Sequence, residues 1–166
     1  MTSIDSLLFR KTLGALATGV TVITTIDEQA VPFGVTANSF TSVSLDPPLV
    51  LWSQSTTSRS HPAFRYSDRF VIHILADDQS DISDRFARSG GDKFAGLDID
   101  VGIAGLPIIR GCAASLECRK VVTYPGGDHV IFLGHVDNLV RSDRVPLVYR
   151  DGKYLPRVLS DELSVS

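Results

Sequence analysis

Cysteine is nearly absent from this chain, with only Cys112 and Cys118 among 166 residues. Placed on one strand the two lie about 20 Å apart, too far for a disulfide between them. Neither belongs to a CxxC pair, so both read as buried thiols of a reducing compartment. The four histidines, His61, His73, His129 and His135, show no i,i+4 helical pairing and no cysteine partner, which argues against a zinc site. Basic excess is missing too. Sixteen Lys and Arg stand against nineteen Asp and Glu, for a net charge of −3, which leaves no electrostatic footprint for nucleic acid. No apolar run approaches the ~20 residues that span a bilayer. The opening MTSIDSLLFRKTLGALATG has no charged leader ahead of an apolar core, so neither a signal peptide nor a membrane anchor is expected, and the expected location is cytoplasmic.

Nucleotide-binding fingerprints are equally lacking. No GxGxxG follows a strand, and no GxxxxGK[ST] occurs. A nicotinamide cofactor, if used, is therefore not held in Rossmann fashion. No Ser/His/Asp set and no paired carboxylates stand out. Asp77-Asp78 and Asp98-Ile99-Asp100 read as solvated loop charge, because Asp favours turns and helix caps.

What is present is an ordinary globular composition, 43% hydrophobic and 21% charged, in a length that suits one domain, residues 1–166, with its core at about 8–156. Ser3 is expected to cap a helix from about residue 4 to 17, with Phe9, Leu13, Leu16 and Ala17 on one face. Strands are expected at about 20–26, 31–35, 49–52 and 69–75, where β-branched and aromatic residues concentrate. Short helices fit residues 60–66, with Pro62 in the first turn, and a segment capped by Asp78 or Ser80 that ends near Ala87. Residues 88–109, rich in glycine, read as a loop. Two long strands, about 113–123 and 129–141, flank a turn at Pro125-Gly126-Gly127-Asp128. A last hairpin turns at Asp151-Gly152, and the tail after Val158 reads as frayed. Many strands, few helices and no βαβ order indicate a mainly β chain, an antiparallel barrel with peripheral helices.

The chain is organised around Gly34 to Pro62, GVTANSFTSVSLDPPLVLWSQSTTSRSHP. Thr36-Ala37-Asn38-Ser39 is small and polar. Asp46-Pro47-Pro48 interrupts regular structure, because proline fixes φ and lacks an N–H. The short apolar strand Leu49-Trp52 then opens into a second loop of hydroxyls, Ser53 to Ser60. Two such loops around one buried strand offer donors and acceptors without bulk, as a planar heterocycle with a polar tail requires. Arg59 adds a cation able to grip a phosphate at two points. Ordinary surface turns are the alternative, since turns favour the same residues.

The run GVTANSFTSVSLDPPLVL, followed by SxxSRSHP, resembles the flavin reductase domain of two-component monooxygenase systems. The likeness continues through FRKTLGALATGVTVIT, DRFARSGGDKF and the triplet Gly127-Asp128-His129, over roughly residues 8 to 156. It implies the FMN-binding split barrel, with FMN or FAD as flavin and NADH or NADPH as hydride donor. It assigns Thr36, Ala37, Asn38 and Ser39 to the edge of the flavin ring, where the Asn38 amide matches the uracil-like half. Ser53, Gln54 and Ser55 would follow the ribityl chain, and Thr57, Ser58 and Arg59 the phosphate. Asp92, Lys93 and Phe94 resemble the segment that closes over the flavin. Gly127, Asp128 and His129 match the triplet around the nicotinamide, with His129 the one residue placed at the reaction itself. The resemblance also implies a homodimer and a separate oxygenase component as partner.

The missing acid–base team agrees with such chemistry, since hydride transfer to a flavin asks mainly for stacked rings and stabilised charge. Two rivals stand beside it: a pyridoxamine-phosphate-oxidase-like or quinone-reducing flavoenzyme on the same barrel, and a non-catalytic flavin- or haem-binding protein.

Overall fold

The computed structural model describes residues 3–156. In chain order its elements are α1 (Ser6–Gly14), β1 (Thr18–Gly19), β2 (Thr21–Ile26), β3 (Pro32–Ala37), β4 (Thr41–Leu45), β5 (Pro48–Ser55), α2 (His61–Tyr66), β6 (Arg69–Ile74), α3 (Ser80–Ala87), β7 (Ile99–Val101), β8 (Pro107–Ile109), β9 (Ala114–Gly126), β10 (His129–Arg141), β11 (Val148–Arg150) and β12 (Lys153–Tyr154). Seven strands form one antiparallel sheet in the order β3-β2-β6-β9-β10-β5-β4.

The sheet curls until its first strand approaches its sixth. Pairing of β4 with β5 stops at Thr41 opposite Leu51. Just past it, the Ser39 hydroxyl donates to the Ser53 carbonyl and accepts from the Ser53 amide, both at 3.0 Å. A side chain thus closes the barrel where a backbone ladder would otherwise run, and a cleft is left between β3 and β5. This is a split barrel.

Two cores follow from residues that alternate along the central strands. Ile23, Trp52, Phe70, Ile72 and Phe132 fill the barrel, where Trp52 stacks on Phe132 at 4.8 Å. Val22, Leu75, Ile82, Phe86 and Leu147 pack on the opposite face, under α3 and the terminal hairpin. Strand β6 is consequently buried on both faces, which explains its nearly unbroken apolar run. A Cβ at Gly134 would lie 2.5 Å from the Phe70 ring, so the bare backbone there makes room for that ring in the barrel.

Several expectations are corrected. Asp5, not Ser3, caps α1, accepting from the Leu8 amide at 2.7 Å. The helix ends at Gly14, and Phe9, Leu13 and Leu16 are exposed instead of packed on the chain's own core. Helix α3 starts after Gln79, with no side-chain cap from Asp78 or Ser80. Strand β4 was not legible, because it is a sheet edge whose residues are mostly exposed and so lack a buried alternation. Within residues 88–109, β7 and β8 pair as a small hairpin. Its order comes from far away in the chain: Glu117 accepts from the Ile103 amide at 2.6 Å, and His73 Nε2 accepts from the Ile109 amide at 3.0 Å. Cys118 is buried and Cys112 half-buried, both as free thiols pushed up by burial, to about 12 and about 11. The tail after Val158 lies outside the described residues. No described helix is long and apolar enough to cross a membrane.

Candidate active site

Because β3 ends the sheet order, its outer edge has no strand partner among the described residues, and its residues 35–37 line the cleft. Three cavities adjoin along this edge. One of about 230 Å³ lies between residues 35–39 and the Ser53–Ser55 stretch, with Ser58 and His129 at its wall. A second, about 590 Å³, continues past Ser58 and Arg59 to the segment 86–94. A third, about 380 Å³, lies between residues 35–38, α3 and the terminal hairpin.

The hydroxyl-rich loop is held from beneath. Gln54 is buried, and its Nε2 donates to Ser60 Oγ at 2.9 Å while its Oε1 pairs with His61 Nδ1 at 3.0 Å. Burial, then Arg65, lowers the pKa of His61 and favours the neutral ring. Ser55 Oγ meets Thr57 Oγ1 at 2.9 Å, and Ser58 Oγ meets Ser60 Oγ at 3.0 Å. Gln54, near the end of β5, thus braces the loop from inside through its buried side chain, and it lines the first cavity together with Ser53, Ser55 and Ser58. Arg59 is exposed at the wall of the second cavity, and among the described residues no ion pair involves it. Its Nη1 lies 3.3 Å from the point a Cβ on Gly90 would occupy, so the 88–94 segment folds directly against this guanidinium.

The turn at Gly127-Asp128 reaches the same loop. Thr56 donates its amide and its hydroxyl to the Asp128 carbonyl, at 3.0 and 3.1 Å. Strand pairing sets His129 opposite Ser55. His129 Nδ1 lies 2.7 Å from Asp128 Oδ1, and this hydrogen bond holds the Asp128 carboxyl below the usual carboxylate range. An ionised Asp128 in turn fixes the imidazole at the cavity wall.

On the other side of β3, Thr36 Oγ1 donates to the Ser83 carbonyl at 2.6 Å. Tyr154, from β12, donates to Asp84 Oδ1 at 2.6 Å, and its phenol oxygen accepts from the Ser83 hydroxyl at 2.9 Å. Thr36 thus fastens α3 to the cleft edge, and Ala37 and Asn38 line two cavities at once. Lys93 Nζ turns onto the Phe86 carbonyl at 3.2 Å, and burial lowers its pKa. Phe94 packs edge-on against Phe86, with ring centres 5.1 Å apart.

Of the residues singled out as a site, Thr36, Ala37, Asn38, Ser39, Ser53, Gln54, Ser55, Ser58, Arg59, Lys93, Phe94 and His129 line these adjoining cavities, Thr57 and Asp128 bond to residues that do, and Gly127 lines none of them. Sequence reasoning missed Thr56, Ser83, Tyr154 and Arg88. Their neighbours come from distant elements, so no local spacing marks them. The cleft suits a flavin: unpaired strand edge for a ring, hydroxyls for a polyol, and a free cation for a phosphate.

An antiparallel split barrel with this cleft defines a flavin-binding oxidoreductase class. A model of the family described as "Flavin reductase like domain" matches residues 13–156, and the chain belongs to that family. It is 45% identical over 150 residues to FMN reductase (NADH) SmoA of Agrobacterium fabrum, covering 90% of this chain and 85% of that protein. It is 41% identical over 154 residues to the flavin-dependent monooxygenase reductase subunit HsaB of Mycobacterium tuberculosis, covering 91% and 82%. The structure of NADH:FAD oxidoreductase SgcE6 from Streptomyces globisporus, in complex with NAD and FAD fragments, superposes with a TM-score of 0.88 at 35% identity, covering 95% and 98%.

Proposed function

We propose that this chain is an NAD(P)H-dependent flavin reductase that supplies reduced FMN or FAD to a separate monooxygenase component. One observation carries the reading: the β3 edge, the hydroxyl loop with its unpaired Arg59, and His129 border a single cleft, locked together by Thr56 and Asp128. When bound there, a flavin supplies the acceptor for a hydride from the nicotinamide.

The protein's own part is to bind and align. Backbone groups at Thr36–Ser39 and the Asn38 amide meet the ring edge. Ser53, Ser55, Thr57 and Ser58 follow the side chain, with Gln54 bracing them from beneath. Arg59 meets the phosphate. Lys93 and Phe94 close the far wall. Gly127, Asp128 and His129 hold the nicotinamide against the flavin. No general acid or base is required, because the hydride passes directly between rings. The names of SmoA and SgcE6 support NADH as donor, and that of HsaB supports an oxygenase partner.

The chain acts as one domain, and as a homodimer. The exposed apolar residues of α1, Leu7, Leu8, Phe9 and Leu13, support this assembly, since they find no core of their own.

The test is oxidation of NADH and of NADPH, followed at the nicotinamide band, with FMN, FAD and riboflavin offered in turn. Oxidation that depends on flavin is expected, and none above the flavin-free rate would overturn the reading. Arg59→Ala should weaken FMN roughly tenfold or more while sparing riboflavin, which has no phosphate. A stable monomer by sedimentation, with full flavin affinity, would remove the dimer.

A further inference from the structure

Edge strand β3 carries residues placed at the flavin ring, yet a backbone ladder holds only one side of it, its pairing with β2. The outer side is tied by a side chain. Thr36 Oγ1 donates to the Ser83 carbonyl at 2.6 Å, and Ser83, in the middle of α3, is 2% exposed. Helix α3 has no side-chain cap at its N-terminus, so its own start does not fix it. Its centre is held from the terminal hairpin. The Ser83 hydroxyl donates to the Tyr154 phenol oxygen at 2.9 Å, and that phenol donates to Asp84 Oδ1 at 2.6 Å. Burial, then the bond to Asp84, raises the phenol's pKa and keeps its proton in place. The Tyr154 ring packs edge-on against Tyr149, with centres 5.5 Å apart, and β11, which carries Tyr149, pairs with β1. A hydrogen-bonded line thus runs from the terminal hairpin through Ser83 to Thr36, along the wall of the third cavity. Arg59 stands apart from this line, on the second cavity.

We propose that Tyr154 is a positioning residue for the flavin ring: through Ser83 it fixes Thr36, and with it the height at which the β3 edge meets the ring. This rests on the reductase reading. Tyr154→Phe keeps the aromatic packing and removes the phenol. The Ser83 hydroxyl then turns back onto a carbonyl of its own helix, one turn earlier, and its own carbonyl is no longer held for Thr36.

Affinities for lumiflavin, riboflavin and FMN, measured by fluorescence quenching without nicotinamide, test it. The three share a ring and differ in their tails. Tyr154→Phe should weaken all of them by one common factor, roughly three- to tenfold. Thr36→Val should cause a similar loss. The two changes together should bind no worse than the poorer single variant, because both cut the same line. Combined with Arg59→Ala, the Tyr154→Phe loss should instead multiply for FMN. In Thr36→Ser, which keeps the hydroxyl, Tyr154→Phe should retain its full effect. A Tyr154 that served only folding would lower the melting temperature, and its effect would multiply with that of Thr36→Val as well. That result, or a Tyr154→Phe protein with wild-type affinity for the three flavins, would overturn the proposal. A wild type that binds none of the three would instead overturn the reductase reading.

Discussion

Thr56 and Asp128 lie 72 residues apart in the chain, yet two hydrogen bonds join them: the Thr56 amide and hydroxyl both end on the Asp128 carbonyl. The loop proposed for the flavin tail and the turn proposed for the nicotinamide therefore move as one piece. Thr56→Val keeps the shape and the amide bond and removes only the hydroxyl. A single neutral hydrogen bond contributes about 1 kcal/mol. Steady-state kinetics should show a several-fold rise in KM for both flavin and NADH, with the melting temperature little changed. A rise confined to one substrate would show that the two segments are not coupled.

His129 is held at the cavity wall by Asp128 and lies opposite Ser55. His129→Ala should raise KM for the nicotinamide and lower kcat, while flavin affinity stays near that of the wild type. A misplaced reacting pair can lose about 10²-fold in rate. His135→Ala is the control. His135 sits in a half-buried cluster with Asp137, Arg69 and Arg119, and its loss should change stability more than nicotinamide use. Unaltered nicotinamide kinetics in His129→Ala would remove this residue from the site.

Stability should fall in mild acid because of His73. This ring is wholly buried between the Val22 carbonyl and the Ile109 amide, and burial lowers its pKa from 6.5 to about 4. Between those values the unfolded chain binds a proton that the folded state does not. The contribution is complete above pH 6.5 and is lost as the pH falls towards 4, amounting to on the order of 3 kcal/mol. Urea unfolding at pH 7, 5.5 and 4.5 measures it. His73→Gln should be less stable at pH 7 but should show a shallower slope below pH 6.5. An equal slope in both proteins would assign the acid sensitivity to other groups.

Gly34 sits under α3, where a Cβ would come within 2.5 Å of the Phe86 ring. Gly34→Ala should destabilise by about 1–3 kcal/mol through overpacking, and should weaken flavin binding because β3 carries the cleft edge. Phe86→Leu in the same chain should recover part of the stability. A Gly34→Ala protein with wild-type melting and affinity would show that β3 tolerates the shift.

Much of this architecture was legible in local pattern. The β-branched run Thr21–Ile26, the apolar run Arg69–Ile74 and the Gly127-Asp128 turn each state their conformation within a few residues, because side-chain period and turn chemistry are local properties. Edge strand β4 escaped because it buries almost nothing, and the β7–β8 hairpin escaped because Glu117 and His73, both distant in sequence, supply its order.

Residue types likewise sufficed to mark the hydroxyl loop, Arg59 and His129 as candidates, since hydroxyls, a guanidinium and an imidazole keep their chemistry in any fold. Which atoms face the cleft was a tertiary matter. Gln54 reads like its serine neighbours, yet the pleat turns its amide into the barrel, onto His61 and Ser60. Thr36 likewise spends its hydroxyl on Ser83, and Tyr154 arrives from the far end of the described chain to secure the same helix. Arg88, just past the end of α3, comes to line the same cavity as Arg59 only because α3 packs on the sheet. Such pairings depend on how the sheet curls and where α3 lies on it, and long-range packing rather than sequence spacing determines both.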